Sequence, residues 1–342
     1  MKTAQLVVAV DGGQSSTTCL VGDLEGRPLG WARSGPIWHL GEVGGPERVR
    51  HALVGSITGA LRNADRPASE VRHAFLSLTG ATGFAASMAR ELLGAATVTS
   101  VSDALGALAS GTFGGPGVAI VVGTGSVAVA VGDDGREEYR GGWGPTLGDQ
   151  GSAYRIGLSA LQAVALAADG VGPDTALLPA VRDSLSLADP RELFDQVYTG
   201  QLDRTRIASL APLVARFAQM EDPVAATIIA EATTALVRLG ATTAAAVELR
   251  GEHRRVVLTG GVLLSNQEMG EAVARRLVGE LPSFRVIRPL APPIVGAFAL
   301  AMRACGIDAA SVLPSRLLEP QWPQELISPN HPRAARGNEN DD

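Results

Sequence analysis

Two apolar hairpins, set about one domain's length apart, constrain this chain more than any other feature. The first rises through Leu6-Val7-Val8-Ala9-Val10, turns at Asp11-Gly12-Gly13-Gln14-Ser15-Ser16-Thr17-Thr18, and returns as Cys19-Leu20-Val21-Gly22-Asp23. The second runs Val118-Ala119-Ile120-Val121-Val122, turns at Gly123-Thr124-Gly125-Ser126, and returns through Val127 to Gly132-Asp133. Each opens on a β-branched run, turns on glycine, and leaves through a Gly-Asp pair. Glycine lets the backbone approach an anion closely, and successive N–H groups with Ser/Thr hydroxyls then supply neutral donors for phosphate oxygens. Two related turns predict a duplicated unit that grips one nucleotide from both sides.

Length agrees with duplication, since 342 residues favour two domains over one. The hydrophobic share of 46% is ample for two cores. A net charge of −6 with only 4% aromatic residues argues against a nucleic-acid groove, which needs a basic stripe and stacking rings. Cys19 and Cys305 lie too far apart for a metal or disulfide framework, so a reduced, cytoplasmic protein is expected. The apolar run after Lys2 is too short for a signal-peptide core, and no span reads as membrane-crossing.

Lysine usage excludes whole mechanisms. Of 29 basic residues Lys2 is the only lysine. P-loop ATPases, protein kinases and Schiff-base enzymes each need a placed lysine, so none of these classes fits. Any ATP site must rest on backbone amides, hydroxyls and a cation.

Along the chain, strands alternate with helices, as in an α/β domain. Helical periodicity covers Pro46 to Asn63, Ser87 to Leu93 and Ala104 to Ser110, with strands at Ala74 to Leu78 and Thr97 to Val101. In the second half, helices are expected at Ser152 to Ala168, Pro190 to Tyr198, Thr205 to Met220, Pro223 to Leu249 and Gln267 to Val278. Strands are expected at Arg255 to Leu258 and Phe284 to Ile287. The Ala-rich helix Ile294 to Cys305 could return to the first domain. The expected division is therefore 1–114 with 293–312, then 115–292, followed by a partly disordered tail at 313–342.

Four places could carry chemistry. Asp11, ending the first strand, could hold Mg²⁺ through water beside phosphates, or simply start a turn. Asp103 follows a strand and heads a helix, where open α/β sheets build their sites. Ser102 could cap that helix instead, which leaves Asp103 for accepting the proton of an attacking hydroxyl. The loop Gly141-Gly142-Trp143-Gly144-Pro145-Thr146-Leu147-Gly148-Asp149 pairs an aromatic face with a carboxylate, a sugar-binding combination, unless Trp143 fills the core. Thr259-Gly260-Gly261 could let adenine or ribose lie on bare backbone, or be an ordinary turn. The five histidines show no metal-ligand spacing.

The order of these motifs resembles the N-acetylglucosamine kinase branch of the family that also holds the BadF/BadG/BcrA/BcrD ATPases, within the actin-like, sugar kinase and Hsp70 superfamily. The resemblance runs from about Val7 to Ala304. It rests on Asp11-Gly12-Gly13, Ser102-Asp103-Ala104, Gly123-Thr124-Gly125-Ser126, Gly141-Gly142-Trp143-Gly144, Gly148-Asp149-Gln150-Gly151-Ser152, and Thr259-Gly260-Gly261. It implies two ribonuclease-H-like (actin-like ATPase) domains hinged around an ATP cleft, and transfer of the γ-phosphoryl group of ATP to the 6-hydroxyl of an amino sugar. Asp103 matches the family's catalytic base, and Ser15 and Thr124 match phosphate contacts. Gly12, Gly13, Gln14, Thr17, Gly123, Gly125, Gly260, Gly261 and, near the adenosine, Ala218 complete the implied nucleotide site. Ser126, Gly142, Trp143, Gly144 and Asp149 fall where the family holds the sugar. Mg²⁺ is the implied cation, with Asp11 beside it; a small-molecule sugar is the implied partner, and a homodimer fits the reading.

Three departures stand out. Gln14 and Ser15 replace the usual Gly-Thr of the first loop, and Gln150 replaces a glutamate. Trp38, followed by His39, stands where relatives place a sugar-contacting asparagine, so Trp38 and His39 are candidates for setting which sugar fits. ATPase activators of dehydratases share the family, but hold an iron–sulfur cluster with closely spaced cysteines that this chain lacks. A non-catalytic sugar sensor is the remaining alternative, opposed by the presence of both Asp11 and Asp103.

Overall fold

The first strand is apolar from Leu6 to Val10 because both its faces are covered. In the computed structural model, which describes residues 5–37, 40, 44–80, 82–94 and 96–327, β1 (Leu6–Gly12) lies at the centre of a five-stranded sheet. Side chains alternate across a strand, so Leu6, Val8 and Val10 join the helices Gly45–Ala64 and Thr82–Leu93 on one face. Val7 and Ala9 meet the helix Pro293–Ala304 on the other. All five of these strand residues are fully buried. A run this uniformly apolar belongs to a strand buried on two sides.

β2 (Thr17–Asp23) and β3 (Pro28–Ser34) continue from β1 as an antiparallel meander. β4 (Val71–Leu78) and β5 (Thr97–Ser102) add in parallel on the opposite edge, giving the order β3-β2-β1-β4-β5. The second half repeats the plan. β6 (Gly117–Val122), β7 (Ser126–Val131) and β8 (Glu137–Gly141) form the meander, and β9 (Arg255–Thr259) and β10 (Arg285–Ile287) add in parallel. The order β10-β9-β6-β7-β8 is that of the first sheet. This is the ribonuclease-H-like arrangement, present twice, as the two hairpins predict.

The chain divides into two compact units: 1–115 with 289–342, and 116–288. The return to the first unit falls at Pro289 rather than at the expected 293. The N–H groups of Leu290 and Ala291 both donate to the Ser110 carbonyl, and Ala291 is buried in the same core as Phe298. The expected tail at 313–342 also starts too early. The helix Ala309–Arg316, capped by Asp308, buries Leu313, and Trp322 packs edge-on against Phe298 at 5.9 Å. Residues 328–342 lie outside the described part.

In the second unit the helices differ from expectation in three places, and in the first the helix expected from Ser87 begins at Thr82. The stretch 205–220 breaks into Arg204–Ala208 and Ala211–Gln219, the second with proline in its first turn. The helix Leu177–Ser184 is an addition. The long helix runs Pro223–Ala244, ending five residues before Leu249. Its 22 residues are long and apolar enough to cross a membrane by length and composition, contrary to the sequence reading. In this fold that character serves packing, since Ala225, Leu236 and Val237 are buried in the second unit's core.

Asp222 anchors that helix. Its carboxylate accepts from the N–H groups of Ala225 (2.9 Å) and Ala176 (2.7 Å) and from the Thr175 hydroxyl (3.0 Å). Burial pushes the carboxyl upward, but these hydrogen bonds outweigh it and hold it below the usual range. A carboxyl depressed in the fold stabilises above its unfolded pKa, and that contribution disappears as pH falls through the folded value. Asp222→Ala is expected to cost about 2 kcal/mol, lowering the melting temperature by roughly 5 °C at pH 7. The deficit should shrink in acid, and calorimetry at pH 7 and pH 3 checks both statements.

Candidate active site

In the first unit the ends of β1, β4 and β5 converge. The Thr79 N–H, just beyond β4, donates to the Gly12 carbonyl at 3.0 Å. The Thr79 hydroxyl donates to Asp103 Oδ2 at 2.6 Å. Ser102 is the cap of the helix Asp103–Thr112, its Oγ accepting from the Ala104 N–H, so Asp103 is not consumed by capping. Ser102 Oγ also lies 3.3 Å from Asp103 Oδ1. Asp103 remains partly exposed, as a proton acceptor must be.

The turn after β1 is closed by the Gly13 N–H donating to the Ser16 carbonyl at 3.1 Å. Gly12 is buried, Asp11 and Gly13 are half-buried, and Gln14 and Ser15 are exposed at the tip. Thr17 differs from the other expected phosphate contacts. It is fully buried in β2 opposite Gly12, and its Oγ1 has no hydrogen-bond partner among the described residues. A leftover buried donor beneath a glycine turn fits a site built for an anion.

In the second unit, the turn Gly123–Ser126 and the loop after β8 are tied together. Asp149, at φ 60°, is 3% exposed. Its Oδ1 accepts from the Ser126 N–H at 3.2 Å, and its Oδ2 pairs with the Arg204 guanidinium at 2.9 Å. Ser126 Oγ donates to the Gln150 carbonyl, and its own carbonyl accepts from the Gly142 N–H, each at 2.9 Å. The close approach explains Gly125: a Cβ there would stand 2.9 Å from the Asp149 carboxylate. Trp143 is 73% exposed, which removes the core-filling alternative.

Gly260, at φ 95°, could not carry a side chain, because a Cβ would stand 2.4 Å from the Val122 carbonyl oxygen. Close packing on β6 therefore accounts for Gly260, while Gly261 faces open space beside it. Gly123 and Thr124 are half-buried at the β6–β7 turn, and Gly144 starts the short helix Gly144–Leu147. Ala218 sits apart from these turns in sequence, on the helix Ala211–Gln219, packed against the second unit's core. Trp38 and His39 lie outside the described residues. Cys19 is buried in β2, where burial pushes its thiol pKa up and makes it inert.

Sequence reasoning missed Thr79 and Arg204. Thr79 carried a weak signal, since it follows a strand at the end where sites form. Arg204 carried none, because 55 residues separate it from Asp149.

Duplicated ribonuclease-H-like sheets, each with a glycine turn between its first two strands, define a class of fold, that of the actin-like ATPases and sugar kinases. The model of the BadF/BadG/BcrA/BcrD ATPase family matches residues 8–301, and the chain belongs to that family. Among proteins of known activity, it is 27% identical to the N-acetyl-D-glucosamine kinase of Dictyostelium discoideum, over 88% of this chain and 98% of that one. It is 28% identical to the N-acetylmuramic acid/N-acetylglucosamine kinase of Clostridium acetobutylicum, over 87% and 99%. A solved structure from Chromobacterium violaceum, provisionally assigned as an N-acetylglucosamine kinase, superposes with a TM-score of 0.71 at 26% identity, covering 88% of this chain and 99% of that one.

Proposed function

We propose that this enzyme transfers the γ-phosphoryl group of ATP to the 6-hydroxyl of an amino sugar, N-acetylglucosamine or glucosamine. The observation that carries the reading is Asp103: a partly exposed carboxylate at the end of β5, released from capping by Ser102 and aligned by Thr79. In this reading the sugar's hydroxyl oxygen attacks the γ-phosphorus while its proton passes to Asp103. The new O–P bond forms as the bond to the ADP oxygen breaks. Asp149 and the Ser126 region hold sugar hydroxyls, and Trp143 offers its face to the ring.

ATP takes its neutral donors from the turns around Gly12 to Ser15 and Gly123 to Gly125, with the adenosine near Gly260, Gly261 and Ala218. Among the described residues no three His, Cys, Asp or Glu side chains cluster as a metal site. Asp11, half-buried at the end of β1, would stand beside the waters of a phosphate-bound Mg²⁺, which when bound would offset phosphate charge. A cytoplasmic homodimer is the proposed setting.

Two sugars separate the possibilities. A site that lacks the usual asparagine and carries Trp38 should accept glucosamine at least as well as N-acetylglucosamine. Trp38→Asn is expected to move the ratio of kcat/KM values toward N-acetylglucosamine by about tenfold. ADP release measured across a sugar panel, for both proteins, checks this. Strong native preference for N-acetylglucosamine with an unchanged ratio in the variant would remove Trp38 from specificity. No sugar-dependent ADP release at all would remove the kinase reading.

A further inference from the structure

We propose that Thr79 is the positioning residue of the base, holding the Asp103 carboxylate in one orientation through its hydroxyl proton. The inference rests on the sugar-kinase reading and adds a residue to it. A threonine hydroxyl has one proton, and here it is committed to Asp103 Oδ2 at 2.6 Å, the short distance of a charge-assisted bond. Thr79 is itself held from behind, since its N–H extends the β1–β4 ladder to the Gly12 carbonyl. A Cβ on Gly13 would stand 3.8 Å from Thr79 Oγ1, which places the hydroxyl against the first glycine turn as well. One residue thus ties the base to the turn proposed for phosphate.

The other oxygen of Asp103 has a weaker tether. Among the described residues its neighbour is the Ser102 hydroxyl at 3.3 Å. Oδ1 is thereby the oxygen left to take the sugar's proton. The second sheet offers a contrast: Gly260-Gly261 follow the equivalent strand β9, and β10 runs out into Arg288-Pro289, with no hydroxyl or carboxylate at either place. Among the described residues, no such pair stands just beyond the strands β9 and β10.

Thr79→Val keeps the shape and removes the proton. It is expected to lower kcat by about tenfold, because a small misplacement of a reacting group is costly, while KM for ATP and for the sugar stays within about twofold. Thr79→Ser should restore most of kcat. In an Asp103→Asn background, Thr79→Val should add little further loss, since the two residues act as one unit. A full tenfold loss in that background, a rise in KM without a fall in kcat, or a serine variant no better than valine would each overturn the assignment. Wild-type protein without sugar-dependent ADP release would instead overturn the function on which it rests, and the assignment with it. Active wild type with an equally active valine variant would overturn Thr79 alone.

Discussion

Asp103→Asn is expected to lower kcat for sugar phosphorylation by at least about 100-fold and to leave ATP binding nearly unchanged. Asparagine preserves the size of the side chain and can still accept the Thr79 proton, so the turn around β4 and β5 should survive. What it loses is the ability to take a proton from the attacking hydroxyl. The helix behind it is capped by Ser102, so the exchange should not destabilise the fold. Single-turnover measurement of phosphoryl transfer, with nucleotide affinity measured separately, distinguishes lost chemistry from lost binding. An asparagine variant of near-native rate would remove Asp103 from the role of base.

Removing divalent cations should have an even larger effect. The chain's single lysine is Lys2, at its start. The arginine brought to the second glycine turn, Arg204, is already paired with Asp149. On the proposed reading a divalent cation offsets the charge of the triphosphate. Excess EDTA is expected to depress the rate by roughly 1,000-fold or more, with recovery on adding Mg²⁺ or Mn²⁺. Asp11→Ala should raise the cation concentration needed for half-maximal rate and lower the rate at saturation. Phosphoryl transfer that continues undiminished in EDTA would contradict the argument, and an Asp11→Ala variant with native cation dependence would remove Asp11 from it.

Both expectations were available from local pattern alone. Asp11 lies within the strand–turn–strand signal from Leu6 to Asp23, and Asp103 sits at a strand-to-helix junction. Such signals are legible because the physics that makes them is short-ranged: alternation buries a strand, and glycine permits a turn. Trp143 shows where that legibility stops. Its loop could be recognised, but whether the indole faced solvent or core depended on what lay beneath, and only the fold exposes it at 73%. Gly260 shows the reverse, a glycine with a binding reading whose first duty is to let β9 and β6 pack.

The sequence by itself determined the duplicated α/β plan, the two glycine turns, and the absence of a lysine from every one of these motifs. Each of these is written in neighbouring residues or in composition. Tertiary structure alone decided which side chains hold the site residues in place. Thr79 reaches Asp103 across 24 positions and Arg204 reaches Asp149 across 55, and no periodicity encodes such a meeting. It also decided that Ala291 and Trp322 return to the first unit's core. Those placements follow from which strands become neighbours in a sheet and which apolar surfaces remain uncovered, and both are set only once the whole unit has folded.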